Sequence, residues 1–114
     1  MNDATPDDPV LSCSLQGGEL SVYDDRVVID RSGASIHTDK SIPMVEIRDV
    51  RYDGGLLSGY LQIVQTGIEP AEAGFLSKPV DENTLYFPRG QRSTARQARD
   101  AILERAEGTR ERAE

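Results

Sequence analysis

The chain changes character once, near its end, and does not change back. Thr84-Leu-Tyr-Phe-Pro88 reads as a last strand, Arg89-Gly90-Gln91-Arg92 turns the corner, and Ser93-Thr94 opens an amphipathic helix that runs to about Ala106. Everything before this point reads as short strands and turns. In the helix, Ala95, Ala98, Ile102 and Ala106 recur at spacings of three and four, so they share one face, with Leu103 beside it. A curled sheet with one open end needs a cover. One terminal helix with a narrow stripe of small apolar residues can sit close enough to be that cover.

The strand pattern upstream is clearest in one hairpin. In Glu19-Leu-Ser-Val-Tyr23 the alternation puts Leu20 and Val22 on one face. Asp24-Asp25 makes the turn, and Arg26-Val-Val-Ile-Asp-Arg31 returns with Val27 and Ile29 together and Val28 opposite. Val10–Leu15 reads as an earlier strand, bent by Gln16-Gly17-Gly18. Ser35–Thr38 reads as a further weak strand, and Asp39-Lys40 leads to Ser41-Ile42-Pro43. Met44–Ile47 lacks alternation and suits one helical turn, with Pro43 fixing the approach. Ile47–Tyr52 alternates, but Ile47 and Val50 fall near a boundary between faces, which leaves the register open. Asp53-Gly54-Gly55 is a turn, and Gly59–Gln65 is apolar enough for a central strand with Leu61 and Ile63 inward. Residues 66–83 read as a long surface loop with a short strand at Gly74–Leu76.

Length and composition narrow the class. The 114 residues suffice for one domain, expected over 10–107, with an acidic tail at 1–9 and a frayed end at 108–114. Hydrophobic residues make up 37% and aromatics 5%, so the core must be small and aliphatic. The net charge of -7 disfavours nucleic acid and anionic lipid, both of which need a positive surface. That charge is uneven. Residues 1–88 hold six basic and fifteen acidic residues, a net of -9, whereas 89–114 hold seven basic and five acidic, a net of +2. The simplest account is attraction between the helix and the rims of the sheet. For Arg92, Arg96 and Arg99 the expectation is solvated side chains with helix neighbours such as Asp100.

Catalytic chemistry is not indicated. His37 is the only histidine and stands beside no obvious orienting group. Cys13 is the only cysteine, which excludes an intrachain disulfide and any multi-cysteine metal site. No phosphate-cradling glycine motif occurs, and no pair of carboxylates stands out. No catalytic, cofactor-binding or metal residue is therefore assigned, and the partner-binding residues stay unknown. The N-terminus lacks a basic, then apolar, leader and no run approaches the ~20 apolar residues of a membrane span, so the expected setting is cytoplasmic.

The segments Ser41-Ile42-Pro43-Met44-Val45-Glu46-Ile47-Arg48-Asp49-Val50 and Gly59-Tyr-Leu-Gln-Ile-Val64, then Thr84-Leu-Tyr-Phe87 and a terminal helix, come in a recognisable order. In that order the chain resembles the bacterial and archaeal pleckstrin-homology-like domains of the DUF4429 and SHOCT-associated type. The first segment has Met44 where such domains usually carry Leu. The resemblance implies a mainly β fold: a bent roll or partly open barrel of about seven antiparallel strands capped by one C-terminal helix. It also implies a non-enzymatic interaction module that docks a protein, a peptide or a second copy of itself. Relatives that bind phosphoinositides use basic residues around the first hairpin, where this chain has Asp24-Asp25. The alternative function is a lipid or small-molecule binding domain at a membrane surface, with a ligand near Arg26, Arg48 and Arg51. On a straight strand Arg48 and Arg51 would face opposite ways.

Overall fold

A computed structural model describes residues 8–16, 18–31, 39–68 and 83–113. Among these residues seven strands form two antiparallel sheets. The first holds β1 (Leu11–Leu15), β2 (Gly18–Val22), β3 (Arg26–Asp30) and β4 (Lys40–Pro43) in chain order. The second holds β5 (Ile47–Asp53), β6 (Ser58–Gln65) and β7 (Thr84–Pro88), with β6 central. The C-terminal helix α1 (Arg92–Ala113) follows. The expected mainly β class with one terminal helix is what the chain adopts, and the two sheets do not close into a barrel.

The alternation in the first hairpin decides its faces. Leu20, Val22, Val27 and Ile29 are all fully buried, and Leu20 pairs with Ile29 as Val22 pairs with Val27. One core takes these together with Ile42, Met44, Leu61, Ile63, Leu85 and Phe87. A 3-10 turn at Met44–Glu46 carries the chain from one sheet to the other, with Pro43 before it at φ -61°. At one corner the sheets also meet directly, where Gln16 N–H donates to the Tyr86 carbonyl at 3.0 Å.

β5 resolves the register that its sequence leaves open. Ile47 pairs with Gln65 and Asp49 with Val64, so Arg48 is the extra residue of a bulge. The bulge shifts the alternation by one and returns Val50 to the face of Ile47. Both are buried, at 5% and 1% exposure.

The helix lays its expected face on the core: Ala95, Ala98, Ile102 and Ala106 are each at 0% exposure, and Leu103 packs partly against them. Its ends differ from expectation. Ser93 and Thr94 lie inside the helix, not before it. The chain enters through a 3-10 turn at Arg89–Gln91, and α1 begins at Arg92. At the other end the helix continues through Gly108 to Ala113, past the expected stop near Ala106. The expected strands at Ser35–Thr38 and Gly74–Leu76, His37, and most of the tail at 1–9 lie outside the described residues.

Candidate interaction surface

The helix arginines are the first element of the surface, and they are not simply solvated. α1 runs back along β5, and its side chains meet that strand from end to start. Arg92 donates to the carbonyls of Gly54 and Gly55 in the β5–β6 turn. Arg96 Nη1 donates to Tyr52 Oη at 3.3 Å. Arg99 lies over the Tyr52 ring at 5.2 Å, and that ring stacks on Phe87 at 5.7 Å between centroids. Arg110 Nη1 reaches the Ile47 carbonyl at 2.9 Å. Asp100, the expected neighbour of Arg96, takes Arg99 Nε instead, at 3.0 Å. The reason is tertiary: the strand offers Tyr52 and free carbonyls on the side where these arginines emerge. An ion pair between the helix and the rim of the first sheet, of the kind the uneven charge suggests, joins Arg105 Nε to the exposed Asp24 Oδ1 at 3.3 Å.

The same contacts occupy sheet edges. On β5 the Val50 N–H is taken by Asp49 Oδ1 at 2.8 Å, and the Ile47 carbonyl by Arg110. On β1 the Ser14 carbonyl accepts from Gln91 Nε2 at 2.7 Å. β4 spans only Lys40–Pro43 and ends on a residue without an N–H. Asp49, Arg110 and Gln91 thus occupy three backbone groups along the β5 and β1 edges.

The β5–β6 turn is the most exposed apolar feature among the described residues. Leu56 and Leu57 are each 81% exposed. The turn is built by Gly55 at φ +65°, whose N–H donates to Asp53 Oδ1 at 2.9 Å. A Cβ at Gly55 would collide with the Ser58 carbonyl oxygen, so the tight reversal needs glycine there. Ser58 pairs with Pro88, so Leu57 and exposed Arg89 leave their strands at the same end of the sheet. Arg92 and Arg96 stand close by through their bonds to the turn and to Tyr52. The tip is thus a pair of leucines beside arginines. Sequence reasoning identified the turn but passed over its leucines. The available signal was two large apolar residues directly after Asp-Gly-Gly, where polar residues are the rule.

A second feature lies farther along α1. An open cleft of about 420 Å³ is lined by Asp24, Glu104, Arg105, Gly108 and Arg112. The Asp24 and Glu104 side chains are 85% and 81% exposed, and Arg105 contacts one oxygen of each.

A buried polar chain joins the elements beneath. Gln65 Nε2 donates to Glu46 Oε1 at 2.7 Å, Asn83 Nδ2 donates to Gln65 Oε1 at 3.2 Å, and Arg31, only 4% exposed, donates to the Thr84 carbonyl at 2.9 Å. These bonds tie the 3-10 turn, β6 and β7 together and link β3 to β7. Hydrogen bonds to buried polar groups of this kind offset the cost of taking those groups out of water.

The residues weighed as a ligand site have separate neighbours. Arg26 sits over the Tyr23 ring at 4.0 Å and pairs with Asp25 at 2.8 Å. Arg51 meets Gln62 Oε1 at 3.4 Å, and Arg48 stands exposed at the bulge. None of the three lines the cleft. Cys13 is half-buried in β1, and burial, with a smaller contribution from Glu19, raises its thiol pKa. Among the described residues no three His, Cys, Asp or Glu side chains cluster to hold a metal ion, and no helix is long and apolar enough to cross a membrane. No family model, curated protein or solved structure matches the chain.

Proposed function

We propose that this chain is a non-enzymatic, pleckstrin-homology-like interaction module that docks a protein or peptide, or a second copy of itself. The order of four strands, three strands and a capping helix supports the family resemblance. The observation that carries the function is the Leu56–Leu57 tip. Leaving two leucines in water forgoes about 1.5–3 kcal/mol of burial free energy each, and a partner surface recovers it. Docking proceeds through this projecting surface in preference to strand addition, because Asp49, Arg110 and Gln91 occupy backbone groups of the edges.

Affinity capture with the wild-type chain and with Leu56→Asp/Leu57→Asp tests the reading. A specific partner, or a second copy, is retained by the wild type and lost by the variant. A wild type that stays monomeric and retains nothing the variant does not retain removes it.

The lipid reading draws on the same tip, since leucines flanked by Arg89 and Arg96 suit an anionic bilayer. The net charge of -7 and the Asp24-Asp25 turn oppose it. Co-sedimentation with vesicles containing phosphatidylserine at low salt decides: retention that disappears in the leucine variant favours lipid over protein.

A further inference from the structure

A ridge of like charge runs down the start of α1. Arg89, Arg92, Arg96 and Arg99 follow one another at spacings of three, four and three, so they share one side of the helix and of the 3-10 turn before it. Arg89 and Arg96 are exposed, and Arg92 and Arg99 are half-buried. From Arg92 to Arg99 the ridge spans roughly 10 Å at ~1.5 Å per residue. The second sheet holds it in place: Arg92 is fixed to the Gly54 and Gly55 carbonyls, Arg96 to Tyr52 Oη, and Arg99 over the Tyr52 ring. At one end of the ridge stand Leu56 and Leu57, which directly follow the two carbonyls that Arg92 binds.

The ridge is short of negative charge. Among the described residues only Arg99 of the four meets a carboxylate, that of Asp100, and Arg89, Arg92 and Arg96 form no ion pair. Asp53 precedes the glycine turn, but its Oδ1 accepts from the Gly55 N–H. Like charges one helical turn apart repel. The start of a helix is also the positive end of its dipole, and the first turn of α1 holds no acidic residue to offset it. A bound carboxylate relieves both. Donors for it are present: among the described residues Arg96 spends only Nη1, on Tyr52, and keeps Nε and Nη2, the pair that grips a carboxylate through two parallel bonds.

We propose that the ridge of Arg89, Arg92, Arg96 and Arg99 and the Leu56–Leu57 tip together bind an acidic segment of a partner protein, with its carboxylates along the arginines and an apolar side chain over the leucines. This rests on the docking reading above and names the chemistry of its partner. A short segment suits the site better than an extended anionic surface. Charges are screened beyond a Debye length of ~8 Å at physiological salt, so a segment seated on the ridge senses chiefly the four arginines. A bilayer or a nucleic acid also faces the rest of a chain whose net charge is -7. The arginines set the orientation of the segment and make binding weaken with salt, and the leucines supply the apolar contact.

Selection from a displayed library of short random peptides, with the wild-type chain as bait, is the test. Enriched peptides should carry Asp or Glu together with Leu, Ile or Phe. In fluorescence anisotropy their binding should weaken as salt rises. Arg89→Gln/Arg96→Gln and Leu56→Asp/Leu57→Asp should each weaken it at least about tenfold. Arg48→Gln/Arg112→Gln removes the same charge away from the ridge and should change it less than about twofold. All four of these arginines are exposed, so circular dichroism should match wild type for both variants. Enrichment of acid-free peptides, or equal weakening by the two arginine variants, overturns the proposal; if the acid-free peptides still need Leu56 and Leu57, the docking reading stands without it. Failure to enrich any peptide also overturns it, and capture of whole proteins then decides the docking reading separately. With no peptide enriched, self-association or retention on phosphatidylserine vesicles that Arg89→Gln/Arg96→Gln abolishes gives the ridge to a second copy or to lipid instead.

Discussion

Arg110 donates from Nη1 to the carbonyl oxygen of Ile47 at 2.9 Å, tying the last turns of α1 to the first residue of β5. Gly108 lies just before it, in a helix interior where glycine costs about 1 kcal/mol relative to alanine. The tether offsets that weakness and covers a carbonyl at the edge of the sheet.

Arg110→Ala should therefore act locally. Amide hydrogen exchange in residues 107–113 should quicken several-fold while β6 stays protected, and global stability should fall by about 0.5–1.5 kcal/mol. Equal exchange in both proteins would show that the bond contributes nothing.

The two glycines at Gly55 and Gly108 predict opposite outcomes for the same substitution. Gly55 has φ +65° and its Cβ position is filled by the Ser58 carbonyl, so Gly55→Ala should lower the melting temperature and disturb the turn. At Gly108 the nearest atom to an added Cβ is Arg112 Nη1 at 3.4 Å, the end of a flexible side chain. Gly108→Ala should stabilise by about 0.5–1 kcal/mol. Thermal unfolding of both variants checks the contrast.

The small residues under the helix set its distance from the sheets. Ala98 is at 0% exposure, and Ala98→Leu adds volume where none is free. The expected cost is about 1–3 kcal/mol. Ile102→Ala, at the same face, should cost about 2–5 kcal/mol by leaving a cavity. Urea unfolding should show lower midpoints for both; an unchanged midpoint for Ala98→Leu would mean that the helix is free to lift.

Cys13 should be a slow thiol. Its pKa is raised, first by burial and then by Glu19, so the reactive thiolate is scarcer than in a free cysteine at the same pH. Reaction with a disulfide reagent at pH 8 should lag a cysteine peptide and gain on it as pH rises through the folded pKa. The linked stability has the corresponding sign. Folding keeps the thiol protonated, so this contribution is whole below the unfolded pKa and is lost as pH rises through the folded one.

Much of the fold could be read along the chain because local patterning and burial agree. Leu20, Val22, Val27 and Ile29 alternate and are buried; Ala95, Ala98, Ile102 and Ala106 recur at helical spacing and are buried. In both cases one covered face demands one period, so a one-dimensional pattern suffices. β5 marks the limit. Ile47 and Val50 stand three apart and still share a face, which only the bulge at Arg48 permits. A bulge answers to the neighbouring strand, and no local pattern in β5 announces it.

The amino-acid sequence by itself determined the first hairpin and its buried face, the terminal helix, its buried stripe and the uneven charge. These follow from side-chain period and turn chemistry, which act over a few residues. Only the tertiary structure decided where the arginines go. Arg92, Arg96, Arg99 and Arg110 meet β5 and the β5–β6 turn because α1 runs back along that strand. It likewise decided that Leu56 and Leu57 project while Leu61 and Leu85 are buried. Hydrophobicity ranks these leucines equally. What separates them is position: a turn closed by Gly55 stands at the end of a sheet, outside the core that the buried stripe of the helix covers.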